Sequence, residues 1–225
     1  SQNHDQVGNR MMGDRFTTLL SYEQLKLSAV AVLCSPYTPM LFMGEEYAED
    51  KPFQYFVSHT DPDLVEAVRK GRKAEFAYFQ KEGLETPDPQ SEQTFDDSSL
   101  SWDIATKNRQ AMLNLYKKLI NIRKQHPAFR MGSRQYTKVL AQDEALIILQ
   151  RSSMDGHFTY VIMNFDQEAQ HYLLRDQENC IFETLLDTSE QQWQGSGATT
   201  QKQYRGGESV KVAAFAAVIL NQKIE

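Results

Sequence analysis

The 225-residue chain carries 30 acidic against 24 basic residues, a formal charge of -6 and a pI near 5.4. That balance lacks the basic face that nucleic-acid phosphates or anionic membranes demand, so neither is an expected partner and a neutral or small ligand is. Hydrophobic residues at 40% and charged residues at 24% fit a globular protein, with length enough for one large domain or two ordinary ones.

The chain opens with SQNHDQVGNR, where a His4-Asp5 pair flanked by amides and followed by Arg10 has the look of an active-site loop. On residue types alone, His4-Asp5 reads as a helix cap and its neighbour in a polar loop. Gln6, Asn9 and Arg10 serve such a loop as structural hydrogen-bonders as readily as substrate contacts.

Ser21 to Cys34 predicts a helix: Ser21 and Gln24 have capping-box spacing, and Leu25, Leu27, Ala29, Val30, Val32 and Leu33 make it apolar on nearly every side. The apolar run here is too short to cross a membrane. Pro36 ends the helix, and Pro39 to Met43 (PMLFM) has the length and apolarity of an interior parallel strand, followed directly by GEEY. Loop, helix, strand and acidic loop in this order describe the end of an alternating α/β domain, with both polar loops on one rim. Glu45 and Glu46 are adjacent, so they point in different directions and do not share a substrate atom. Phe53, Tyr55 and Phe56 are candidates for stacking on a ligand or for core packing.

A second helix is predicted over Thr60 to Glu82, with Asp61 as N-cap, Pro62 at its first position, and Val65, Val68, Phe76 and Phe79 along one side. Its VRKGRK stretch reads as a solvated face. GLETPDPQSEQTFDDSS follows as a long surface loop. A third helix carries Met112, Leu115, Tyr116, Leu119 and Ile120 on one stripe and stops before Pro127. From about Gly132 the period changes, and EALIILQR, FTYVIMNF, QHYLLR, CIFETLLD and VAAFAAVIL are strand-length segments separated by Asp155-Gly156, Gly195-Ser196-Gly197 and Gly206-Gly207. They predict an antiparallel sandwich, with the domain boundary between Pro127 and Ser133. Trp102 and Trp193 read as packing anchors. No Gly-rich phosphate loop, nucleophile elbow or metal-ligand spacing is present, so no metal or cofactor is expected. Cys34 and Cys180 form no CxxC pair and read as buried thiols of a reducing, cytoplasmic compartment.

Taken together, QNHDQVGNR, SPYTPMLFMGEEY, PFQYFVSH, LVEAVRKGRKAEF, PDPQSEQTF and LYKKLINIRKQHPAF resemble the α-amylase family of glycoside hydrolases (family 13), and within it the members that release trehalose from maltooligosyl trehalose. The resemblance implies an α/β plus all-β fold. Residues 1–130 would be the carboxyl-terminal part of a (β/α)8 barrel, its last one or two βα units with the helices that follow, and residues 131–225 an antiparallel β-sandwich. NHDQ would then end the seventh barrel strand and PMLFM would be the eighth. The nucleophile and the general acid of a retaining hydrolase would lie upstream of Ser1, leaving the chain alone inactive. Asp5 would be the third carboxylate, stabilising the transition state, with His4, Gln6, Arg10, Glu45 and Tyr55 contacting maltooligosyl trehalose or a related α-glucan. An α-glucan branching enzyme and a non-catalytic carbohydrate-binding or interaction module are the alternatives. With the other strands absent, PMLFM would leave an apolar patch and an open strand edge, and self-association of the chain is expected.

Overall fold

A computed structural model describes residues 1–80, 83–130, 132–141, 145–175 and 180–223. They group into two compact units, one of residues 1–20 and 40–103, the other of residues 21–39 and 104–225.

The first unit is built from turns and helices without strands among its described residues. Helix α1 (His4–Gly8) starts at Asn3, whose side chain accepts from the Gln6 N–H, and α2 (Phe16–Leu19) is a single turn. In the second unit, α3 (Tyr22–Cys34) begins in the capping box expected of Ser21 and Gln24. Pro39 to Met43 forms no strand. An interior parallel strand needs a neighbour on each side, and every strand among the described residues lies within residues 137–222. Met40, Leu41 and Met43 are instead exposed, so the segment leaves apolar side chains at the surface but no open strand edge.

Helix α4 (Pro62–Glu75) has Asp61 as its cap, accepting from the Asp63 and Leu64 N–H groups, with Pro62 at the first turn. It ends at Phe76, before a short α5 (Ala77–Gln80). The predicted continuation through Glu82 and the side chain of Phe79 lie outside the described residues. Val65, Val68, Arg72 and Phe76 share the inner face, so VRKGRK is not wholly solvated: Arg72 is buried. Its guanidinium lies over the Tyr55 and Phe76 rings, 4.7 and 4.8 Å to the centroids, and bonds Glu75. The predicted surface loop contains a helix, α6 (Glu92–Asp97), and is pinned by Asp88. That carboxylate takes a bidentate pair from Arg69 at 2.9 Å and accepts from the Gln90 N–H, while the Gln90 side chain bridges the His59 backbone.

In the second unit, α7 (Lys107–Gln125) presents Met112, Leu115, Tyr116 and Leu119 inward as its periodicity predicts, and α8 (Pro127–Arg130) follows. The strands are β1 (Thr137–Ala141), β2 (Leu146–Ser152), β3 (Phe158–Asn164), β4 (Gln170–Leu173), β5 (Ile181–Asp187), β6 (Gln203–Arg205), β7 (Ser209–Val212) and β8 (Ala217–Gln222). They form an antiparallel six-stranded sheet ordered β1-β2-β3-β8-β5-β6 and a two-stranded sheet, β4-β7. Between the sheets lie Leu146, Ile148, Tyr160, Ile162, Phe182, Val210, Val212, Val218 and Leu220, the sandwich core. Strand β3 is buried on both faces, since α3 packs on the side away from β7. The segment VAAFAAVIL is not one strand: Phe215 at φ 48 turns the chain between β7 and β8, which belong to different sheets.

Helix α3 also buries a charge. The Lys26 ammonium donates to the Thr188 and Trp193 carbonyls at 2.7 and 3.3 Å and pairs with Glu23 at 2.8 Å, so one side chain ties helix to loop. Burial lowers its pKa against the opposing pull of Glu23. Cys34 is buried and its thiol is pushed up to about 12 by that burial, which makes it unreactive.

Candidate functional site

All six predicted site residues fall in the first unit. His4, Asp5 and Gln6 stand on the outer side of α1, and His4 Nε2 lies 3.3 Å from an Asp5 carboxylate oxygen with both side chains 73% exposed. Their support lies beneath them. Gly8 packs on the Phe53 ring, which a Cβ there would meet at an ordinary 3.5 Å contact, and the Gly8 carbonyl accepts from Arg72. Gly13, at φ 70, has room for no side chain, because a Cβ would meet the Phe53 backbone at 2.5 Å. The Phe53 N–H donates to the Gly13 carbonyl, so the 53–55 segment runs along residues 8–13 and carries Tyr55 to the Arg72 that bonds Gly8. Arg10 is exposed beyond the end of α1.

Glu45 and Glu46 lie on a short 3-10 helix (Glu45–Tyr47) rather than at a strand end. Glu46 is half-exposed, whereas Glu45 is only 7% exposed and lies in the field of Arg15. Phe53 and Phe56 turn out to be packing residues, edge-to-face with Phe42, Phe95 and each other.

Sequence reasoning missed the two groups that fix this region, Arg15 and Glu49. The buried Arg15 guanidinium donates to the carbonyls of Lys51 at 2.6 Å and Met43 at 2.8 Å, closing the 43–51 turn across its base. The buried Glu49 carboxylate accepts from the N–H groups of Asp50, Lys51 and Ser101 and from the hydroxyls of Tyr47 and Ser101. Burial alone would raise its pKa, but those donors outweigh it and hold the group at about 2. Tyr47 is pushed up to about 12, by burial first and then by the Glu49 carboxylate it bonds. The one available sequence signal was a run of acids, GEEYAED, with nothing to mark Glu49 as the inward one.

A groove of about 820 Å³ lies between α4 and the 83–89 loop, lined by Arg69, Arg72, Lys73, Leu84, Pro87 and Asp88. Arg69 is committed to Asp88 there, so the groove is mixed in charge rather than an anion trap. No group of three or more His, Cys, Asp or Glu among the described residues could hold a metal ion. No described helix is long and apolar enough to cross a membrane.

The chain is 44% identical over 146 residues to malto-oligosyltrehalose trehalohydrolase of Brevibacterium helvolum, covering 64% of this chain and 25% of that protein. It is 50% identical over 125 residues to the protein of the same name from Saccharolobus solfataricus, covering 56% and 20%. The chain is a relative of the malto-oligosyltrehalose trehalohydrolases. It spans about a quarter or less of the length of these relatives. Among solved structures, a Salmonella typhimurium protein assigned as an alpha amylase aligns at 31% identity and TM-score 0.74, over 98% of this chain and 34% of its own. A trehalulose synthase from Pseudomonas mesoacidophila aligns at TM-score 0.55 and 19% identity, over 89% of this chain and 38% of its own, a likeness of fold alone. No family model matches the sequence.

Proposed function

We propose that this chain is the carboxyl-terminal segment of a retaining α-glucan-active glycoside hydrolase, one that releases trehalose from maltooligosyl trehalose by hydrolysing an α-1,4 bond. The observation that carries the proposal is the 44% identity over 146 residues with the trehalohydrolase from Brevibacterium helvolum. In this reading residues 1–130 are the barrel's last portion with its following helices, and residues 131–225 are the carboxyl-terminal β domain.

Retaining hydrolysis needs a carboxylate nucleophile and a carboxylic acid about 5 Å apart, and both belong to the rest of the enzyme. Asp5 supplies the third carboxylate. Hydrogen bonds from sugar hydroxyls to an anionic acceptor strengthen as the ring flattens toward an oxocarbenium ion, so they lower the barrier more than they tighten the ground state. The open position of Asp5 on a capped helical turn, backed by Phe53 and Arg72, supports this role. His4, next to it, donates to the same sugar. Gln6, Arg10 and Tyr55 border the same turn as further substrate contacts. Glu45 is the least accessible of the set, so any contact it makes is at the edge of its buried carboxylate.

In the full-length enzyme, Asp5→Asn should lower kcat by roughly 100-fold, about 3 kcal/mol of transition-state stabilisation, with KM changed far less. Trehalose release at a near wild-type rate would remove Asp5 from the reaction. A glucan branch point as product, in place of free trehalose, would assign the chain to a branching enzyme instead.

A further inference from the structure

We infer that Trp102 is a preformed stacking platform for a pyranose ring of an α-glucan, mounted on the Glu49 network and separate from the His4-Asp5 turn. The sequence reads this residue as a packing anchor, and that reading fits Trp193, which is 7% exposed. It does not fit Trp102, whose side chain is 72% exposed.

The mount is specific. Trp102 has φ 54, a left-handed backbone that a bulky L-residue rarely adopts and that persists only where its surroundings enforce it. The enforcing groups are on either side of it. The preceding Ser101 is held on the Glu49 carboxylate by its N–H at 2.6 Å and by its hydroxyl at 2.8 Å, and the following Asp103 N–H donates back to the Ser101 hydroxyl. Beneath the indole lies Tyr47, with ring centroids 6.4 Å apart and planes inclined by 28°. Tyr47 is itself buried and donates its hydroxyl to the same carboxylate at 3.1 Å. One buried acid therefore fixes both the ring that backs the indole and the residue that precedes it.

The result is a large flat apolar surface with one face supported and the other open to water, paid for in backbone strain. The C–H face of a pyranose is a neutral, flat partner for such a ring. The choice of an α-glucan as ligand rests on the function proposed above.

The test is a titration of the whole 225-residue chain with maltoheptaose, followed by calorimetry and by acrylamide quenching of tryptophan fluorescence. Because Trp193 is buried and Trp102 is not, glucan binding should shield the quenchable indole. Trp102→Ala should weaken binding by about tenfold or more, with Trp102→Phe intermediate, while far-UV circular dichroism shows the fold retained. Ser101→Ala should weaken binding less, because it loosens the mount and leaves the ring. Wild-type affinity in Trp102→Ala, or no maltoheptaose binding by the wild-type chain, would overturn the inference. The reaction is scored separately: trehalose release that depends on Asp5 survives either result, and its failure leaves the binding result standing.

Discussion

The two compact units of this chain are held together by different means. In residues 1–20 and 40–103 the buried groups include Gln2, Arg15, Glu49, Gln54, Arg72 and Ser98, and the turns are fixed by side chains that bond backbone. In residues 21–39 and 104–225 the core between the sheets is apolar, built of Leu146, Ile148, Ile162, Phe182, Val218, Leu220 and their neighbours, while buried polar groups such as Lys26, Arg151 and Asp187 stand outside that core. Hydrogen bonds have direction, so a polar interior can set loop atoms at defined positions without a sheet. An apolar interior fixes volume, and tolerates exchange among side chains of similar size. The first arrangement suits a surface that presents the proposed site residues His4 and Asp5, and the second suits a scaffold. Removing one polar group strands several others, whereas removing one apolar group leaves a hole.

The contrast can be broken in three ways. The largest effect should come from Phe182→Ala, in the centre of the sandwich: a loss of about 3–5 kcal/mol is expected for a buried phenyl ring, read as a lower denaturant midpoint. A loss under about 1 kcal/mol would mean that the β domain is looser than its packing implies. Next, Glu49→Gln should cost about 3 kcal/mol by leaving buried donors poorly matched, and the loss should be local. Amide exchange should rise in residues 44–51 and 98–103 and stay unchanged in β3 and β8. The Glu49 carboxyl sits near 2 in the folded chain, below its ordinary value of 4.5. Its stabilisation is therefore complete above that ordinary value and is lost as pH falls toward 2. Equal loosening of both units would remove the distinction between them.

The smallest effect concerns His126, at the end of α7. Burial lowers its pKa, against the opposing influence of a hydrogen bond with Asn221 and the charge of Glu183. The folded state thus prefers the neutral ring, so the associated stability is full above the ordinary value of 6.5 and declines as pH falls below it. Mild acid should weaken the β domain slightly before Glu49 is affected, and His126→Leu should flatten the unfolding midpoint across that window. A midpoint in the wild-type chain that is level from neutrality to pH 5 would show that the imidazole is not linked to folding.

What could be read from the sequence was local. The capping box at Ser21 and Gln24, the Asp61-Pro62 start of α4, the inward stripe of α7 and the strands after Gly132 all follow from rules that operate within a few residues. The family resemblance puts His4 and Asp5 forward as site residues, and the structure adds how their turn is supported.

The sequence by itself thus determined where α3, α4 and α7 begin, where α3 and α7 end, and which stretches alternate, because capping and periodicity are short-range. Only the tertiary structure decided that PMLFM forms no strand, that Arg72 and Lys26 are buried while Trp102 is exposed, and that Glu49 among neighbouring acids is the one that organises the turn. Each depends on partners far along the chain, a missing sheet neighbour, the Thr188 carbonyl or the Ser101 hydroxyl, and no local pattern encodes where such partners will be found.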